Sequence, residues 1–210
     1  MPSNHEKRLI YFVAFVHIIG FVGINFTPFT RFFLEASQFN FYFVALCFAL
    51  SLKKINPKQL IGLISIFSLG MLVEIIGVKT GFPFGDYFYT KRLGIQLAKV
   101  PVCIGFNWIL VCLGSMAWGK FISPKFSWVI ALSVLLVFDL LLEPVAIKLG
   151  YWVWNNHNPP IKNYLSWLII GAMGMKISKK FDLPHSYFLQ AVLAIQLLFF
   201  LSFRLFNGLN

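Results

Sequence analysis

Long apolar segments alternate with short polar or basic segments along nearly the whole chain. Each apolar segment is close to the ~20 residues that an α-helix needs to cross the hydrocarbon core of a bilayer. We predict seven transmembrane helices with the bounds Leu9–Phe26, Phe33–Leu52, Gln59–Val78, Pro101–Trp118, Phe126–Leu149, Tyr164–Ile177 and Tyr187–Phe206. The pattern therefore predicts an all-α, polytopic helical membrane protein.

The third and fifth predicted helices run in the same direction across the membrane, so both end on the same face. Two unusual connections open there, Lys79–Val100 and Gly150–Asn163, and both are rich in Gly, Pro and aromatic residues. Irregular backbone at membrane depth is tolerated only where protein buries it or where it lines a cavity. We predict that these two loops line an intramembrane cavity.

Composition supports one membrane domain over residues 1–210. The chain is 59% hydrophobic and 12% charged, whereas a soluble domain carries roughly 25% charged residues. The net charge of +11 comes from Lys and Arg in the short connections, where basic residues set topology and meet anionic lipid head groups. We expect membrane lipid and no nucleic acid as a partner, in an integral, multi-pass protein of a prokaryotic plasma membrane.

Three carboxylates interrupt the apolar segments: Glu74, Asp139 and Glu143. An ionisable group within a bilayer is costly and usually marks a functional site. Asp139 and Glu143 are four residues apart and share one helix face. Because two adjacent charges cannot both be stabilised cheaply there, we expect one of them to hold a proton at neutral pH, as a general acid does. The alternative is a structural acid satisfied by Lys, Tyr or Asn from another helix.

Glu74 lies between Gly70 and Gly77, and such small residues allow a slender ligand or another helix to approach closely. Because Glu74 is near the end of its helix, it could instead simply reach the interfacial water.

Aromatic side chains dominate both loops and provide electron-rich faces that can stabilise a cation by about 1–2 kcal/mol when desolvated. The alternative interpretation is that the rings anchor the protein at the membrane interface and that Asn107 forms a hydrogen bond between helices. The candidate substrate-binding residues are Phe82, Phe84, Tyr87, Tyr89, Asn107, Trp108, Tyr151, Trp152 and Trp154.

Motifs for redox, nucleotide and metal chemistry are missing from the sequence. The four histidines are scattered without the spacing of a di-iron site, and the sequence has neither a CxxC pair nor a nucleotide-binding glycine motif. We therefore expect no metal and no cofactor, which leaves acid–base chemistry on a lipophilic substrate.

Two groups of residues form a combined pattern between Gly70 and Trp167. They consist of Glu74–Gly77, Thr80–Tyr89, Pro101 and Asn107-Trp108, followed by Asp139, Glu143-Pro144, Gly150–Trp154, Asn163-Tyr164 and Trp167. This pattern resembles the carotenoid 1,2-hydratase family of membrane carotenoid biosynthesis proteins.

The resemblance implies addition of water across the terminal C1–C2 double bond of an acyclic (ψ) carotenoid end group. The substrate would be lycopene, γ-carotene or a C50 precursor, entering sideways from the lipid. We hypothesise that Asp139 and Glu143 form the proton-donating pair and that Glu74 is the partner for water. Two alternatives remain: a carotenoid cyclase or isomerase that uses the same protonation, and a non-catalytic transporter or membrane-assembly factor.

Overall fold

The computed structural model describes residues 2–52 and 54–206. Within them the chain forms seven α-helices: α1 Asn4–Phe26, α2 Thr30–Ser51, α3 Pro57–Thr80, α4 Val102–Ile122, α5 Ser127–Lys148, α6 Ile161–Lys180 and α7 Tyr187–Phe206. Each predicted apolar segment corresponds to one helix, with bounds that differ by a few residues. The prediction of a polytopic helical membrane protein is confirmed.

Six of these helices, all except α6, are long and apolar enough to cross a membrane. α6 has a comparable length of 20 residues, but Lys162 near its start and Lys176, Lys179 and Lys180 near its end lower its mean hydropathy. Because these lysines are confined to the two ends, their long side chains can extend toward water while the middle of α6 packs against α3, α4 and α5.

α4 is the central helix, packed against α3, α5, α6 and α7. Its small residues let neighbouring helices approach closely. Gly114 faces Leu193 of α7, and Gly119 faces Ser127 of α5. Most of the α4 surface is therefore buried in protein, and the other helices surround it.

α3 ends in a backbone conformation that only glycine adopts easily. Gly81 has the left-handed φ of 70°, and its N–H donates to the Gly77 carbonyl at 2.8 Å. This abrupt end turns the chain back over the helix, which brings the following aromatic segment to the end of the bundle.

Two short antiparallel sheets form at this end. The first pairs β1 (Tyr87–Tyr89) with β4 (Trp152–Trp154), and the second pairs β2 (Gln96–Leu97) with β3 (Val100–Pro101). The first sheet joins the loop after α3 to the loop after α5, so the two loops do open on the same face. The sequence predicts aromatic loops here but does not predict these strands.

Strand alternation sorts the side chains of the first sheet. Tyr87 pairs with Trp154, and Tyr89 pairs with Trp152. These four rings share one face because successive side chains of a strand point to opposite sides. The intervening Phe88 is 50% exposed on the other face. The sheet thus directs four polar-tipped aromatic side chains into the bundle.

Pro144 lies inside α5 and cannot donate a backbone N–H to the Leu140 carbonyl one turn earlier. Arg204 of α7 provides the missing donor, because Arg204 Nη1 donates to the Leu140 carbonyl oxygen at 3.3 Å. The freed backbone acceptor next to the acidic pair is therefore satisfied by a side chain from another helix.

We predict that Gly70→Ala destabilises the protein by about 1–3 kcal/mol, because the new methyl group would collide with the buried Trp108 indole. The matched change Gly20→Ala in α1 places its methyl group where no atom lies within 4 Å, so it should leave stability unchanged or slightly raised. Denaturant unfolding in detergent micelles measures both variants. Equal stability of the two would show that the helix contact at Gly70 tolerates a side chain.

His185, in the connection between α6 and α7, should make the stability of the protein depend on pH. Burial, aided by the charge of Lys120, lowers the pKa of His185 from 6.5 to about 4. Between these values the unfolded chain binds a proton at His185 and the folded chain does not, so stability falls as the pH decreases through this window. Unfolding measured from pH 7 to pH 4 should show a smaller loss for His185→Gln. An identical pH dependence in both proteins would contradict this assignment.

Candidate active site

A cavity of about 310 Å³ lies inside the bundle. α1, α2 and α7 form one wall, and α3–α6 with the first sheet form the other. The structure brings all but two of the predicted site residues to this cavity. The predicted residues that line the cavity are Glu74, Phe84, Tyr87, Tyr89, Asn107, Trp108, Glu143, Tyr151, Trp152 and Trp154.

The two exceptions are Phe82 and Asp139. Phe82 is 73% exposed and does not reach the cavity, because it follows Gly81 on the outside of the turn that ends α3. Its position fits the alternative interpretation, an aromatic anchor at the interface. Asp139 is fully buried and lies behind the cavity wall.

Glu74 is buried and accepts hydrogen bonds from three aromatic side chains. Tyr87 Oη and Tyr89 Oη donate to its Oε2 at 2.5 and 2.8 Å. Trp108 Nε1 donates to Oε1 at 3.2 Å. Glu74 therefore does not extend to interfacial water, which was the alternative interpretation of this residue.

The phenol groups of Tyr87 and Tyr89, which donate to Glu74, stay neutral. Burial is the main cause, and the adjacent carboxylate adds to it: together they raise the pKa of Tyr87 and of Tyr89 well above the ordinary value of 10. Both hydroxyl groups consequently keep their protons at physiological pH and remain donors to Glu74.

Glu143 is held by the opposite strand of the same sheet. Trp152 Nε1 and Trp154 Nε1 donate to its Oε2 at 3.0 and 2.9 Å. Asn163 Nδ2 at the start of α6 donates to Oε1 at 3.3 Å. An indole N–H can only donate, so Oε2 must be an acceptor. A proton carried by Glu143 would therefore be on Oε1, beside Asn163.

Asn163 also connects Glu143 to Asp139. The same Nδ2 donates to Asp139 Oδ2 at 3.2 Å, and Asp139 Oδ1 has no hydrogen-bond partner among the residues that the structure describes. The two acids do lie on one face of α5, as their spacing predicted. They do not face the cavity together, however: Asp139 reaches it only through Asn163 and Glu143.

Several cavity residues were missing from the predicted site. Trp167 of α6 stacks on Trp108 with ring centroids 4.5 Å apart. The wall built by α1, α2 and α7 includes His17, Asn40 and Gln196. The available signal was the one that identified the acids, a polar residue that interrupts an apolar segment.

The described residues include no group of three or more His, Cys, Asp or Glu side chains arranged to hold a metal ion. The three cysteines, Cys47, Cys103 and Cys112, are buried free thiols.

Comparison with known proteins identifies the family. The model for a family described as carotenoid biosynthesis protein matches residues 37–209. The chain belongs to this family. A curated relative of this carotenoid biosynthesis protein is the bisanhydrobacterioruberin hydratase of Haloarcula japonica, which is 28% identical over 126 residues covering 53% of this chain and 41% of the relative. The chain thus spans about two fifths of that relative's length. No solved structure matches it.

The family assignment agrees with the resemblance noted in the sequence. The match begins at residue 37, within α2, so α1 lies outside it. In this protein α1 nevertheless contributes His17 and Gly20 to the cavity.

We predict that Asn163→Leu lowers the free energy of unfolding by about 1–3 kcal/mol, because Asp139 and Glu143 each lose a buried donor. Asp139→Leu provides a double-mutant cycle: the double variant should lose less than the sum of the two single losses. Chemical unfolding in micelles measures all four proteins. Strict additivity would mean that Asn163 and Asp139 are energetically independent.

Proposed function

We propose that this carotenoid biosynthesis protein is a hydratase that adds water across the terminal C1–C2 double bond of an acyclic carotenoid end group. One observation carries the proposal: Glu74 and Glu143, each held by aromatic donors, border a single apolar cavity in the membrane-spanning bundle. The name of the Haloarcula relative supports the same type of reaction.

The cavity accommodates one end of the substrate. Its volume of about 310 Å³ is at the lower limit of the roughly 300–1,000 Å³ of sites for drug-sized ligands, so the rest of the polyene stays in lipid. We propose that the substrate enters between α1 and α2, because Ile19, Phe32 and Phe39 line the cavity and are also exposed on the outer surface. The substrate class comprises lycopene, γ-carotene and C50 precursors.

Glu143 provides the proton. The π electrons of the double bond take the proton from Oε1 to form the new C2–H bond, and C1 becomes a tertiary cation. The carboxylate that remains accepts from Trp152, Trp154 and Asn163, and such donors stabilise the charge that develops. Asp139 acts on Glu143 through Asn163, as a positioning residue.

The cation is then captured by water. The aromatic faces around the cavity stabilise it, and the water oxygen forms a bond to C1. Glu74 accepts the proton that this water releases. Return of this proton from Glu74 to Glu143 restores both acids, so the net reaction is the addition of one water molecule, without oxidation or reduction.

The hydrogen-bond partners of the acids disfavour a transporter or assembly factor. That alternative predicts that the acids pair with basic residues or carry protons, and the structure bears on the pairing. In the described part of the chain the salt bridges are Arg31–Glu35 and Lys58–Asp182, and neither involves the buried acids.

Expression in a lycopene-producing host with heavy-oxygen water tests the reaction. We expect a product heavier by one water that carries the oxygen label. A product of unchanged mass with an altered absorption spectrum would indicate the cyclase or isomerase instead. Unaltered lycopene, in membranes that contain the folded protein, would contradict the proposal.

Amide substitutions test the roles of the acids. Glu143→Gln should reduce turnover by about 100-fold or more, because general acid catalysis contributes about 10²–10⁴-fold. Asp139→Asn should reduce it less, because Asp139 acts through Asn163. The matched control Glu35→Gln removes an exposed carboxylate on α2 and should change nothing. Wild-type turnover in Glu143→Gln would assign the proton donor elsewhere.

A further inference from the structure

A second polar cluster lies on the cavity wall opposite the acids. It consists of His17 in α1, Asn40 in α2 and Gln196 in α7, and we call it the acceptor cluster. All three side chains line the same cavity as Glu74 and Glu143. Each lies between two apolar neighbours in the sequence of its helix. The reaction described above assigns no role to any of them.

The ring of His17 is oriented by its own helix. Its Nδ1 is 2.8 Å from the Val13 carbonyl oxygen, so Nδ1 carries the hydrogen and donates. In the neutral ring Nε2 is then a lone-pair acceptor. Its neighbour is the Asn40 amide nitrogen at 3.5 Å, a long contact that leaves Nε2 weakly satisfied.

Two further acceptors in the cluster lack partners. Oδ1 of Asn40 and Oε1 of Gln196 are buried and have no hydrogen bond to any residue that the structure describes. Gln196 as a whole is only 5% exposed. Buried carbonyl oxygens are almost always paired with protein, water or ligand. Acceptors of this kind require a donor, and an O–H group provides one.

The cluster lies deeper in the membrane than the acids. His17 is nine residues from the end of α1 and Glu74 is six residues from the end of α3. At 1.5 Å per residue these depths are about 14 and about 9 Å. Because α1 and α3 run in the same direction, His17 lies about one helical turn further in than Glu74.

We infer that the acceptor cluster is a subsite for a hydroxyl group, either the water that adds to the carotenoid or the alcohol that forms from it. This inference rests on the proposed hydratase reaction. A water that donates one O–H to the cluster and the other to Glu74 presents a lone pair to C1. The C1–O bond forms, the proton facing Glu74 leaves to Glu74, and the new alcohol keeps its remaining O–H on the cluster.

The fate of the cation in heavy water tests the subsite. A cation that water does not capture loses a proton and returns to the alkene, which then carries deuterium. We expect Gln196→Leu and Asn40→Leu to raise the ratio of deuterated lycopene to alcohol about tenfold, the effect of one lost hydrogen bond. This ratio does not depend on how much protein folds. The matched control Gln190→Leu removes an amide of α7 that bonds Ala117 outside the cavity, and its ratio should equal that of the wild type.

Binding distinguishes the two sources of the hydroxyl group and does not need turnover. Quenching of tryptophan fluorescence gives the affinities for lycopene and for its hydrated alcohol. If the cluster binds the alcohol, the wild type prefers the alcohol and Gln196→Leu loses that preference, whether or not the deuterium ratio changes. A changed deuterium ratio with equal affinities assigns the subsite to water.

An unchanged ratio and unchanged affinities in both cluster variants would overturn the inference and leave the cluster as contacts between helices. A wild type that yields neither alcohol nor deuterated lycopene would instead contradict the hydratase reaction. The affinities would then decide the subsite by themselves: it stands if the wild type prefers the alcohol and is overturned if that preference is absent.

Discussion

The cost of placing a carboxyl group in a hydrocarbon environment controls the architecture of this protein. A buried acid without hydrogen-bond partners is strongly unfavourable, and the bilayer offers none. Glu74 and Glu143 obtain their partners from aromatic side chains with polar tips, which combine an apolar body with one donor. The two loops that follow α3 and α5 therefore have to fold back into the bundle, and the short sheet between them is the device that achieves it.

The pairing of β1 with β4 couples the two acids. Tyr87 and Tyr89 from one strand hold Glu74, while Trp152 and Trp154 from the other hold Glu143. A slip of one residue in the register would turn the two rings of the slipped strand to the outer face. The geometry of both acids thus depends on one three-residue strand pair, and we expect the acids to respond together to any change in it.

The cavity has two chemically different walls. The wall that carries the acids is rich in donors, which suits the negative charge that the proposed reaction forms on Glu143. The opposite wall carries the acceptors of His17, Asn40 and Gln196. In the proposed reaction, an apolar end group between them would receive a proton from one side and a hydroxyl group from the other. This asymmetry gives the proposed addition of water a direction.

Hydropathy alone determined the seven helices, because burial in lipid requires apolar residues along the whole length of a segment. Helix parity and spacing then placed the three acids and the two loops at one end of the bundle. The tertiary structure alone decided that Phe82 points outward, that Asp139 lies behind Asn163, and that α1, α2 and α7 close the cavity. These outcomes depend on turns, strand register and helix packing, in which residues distant in sequence meet, and a local pattern of hydrophobic positions contains no record of such contacts.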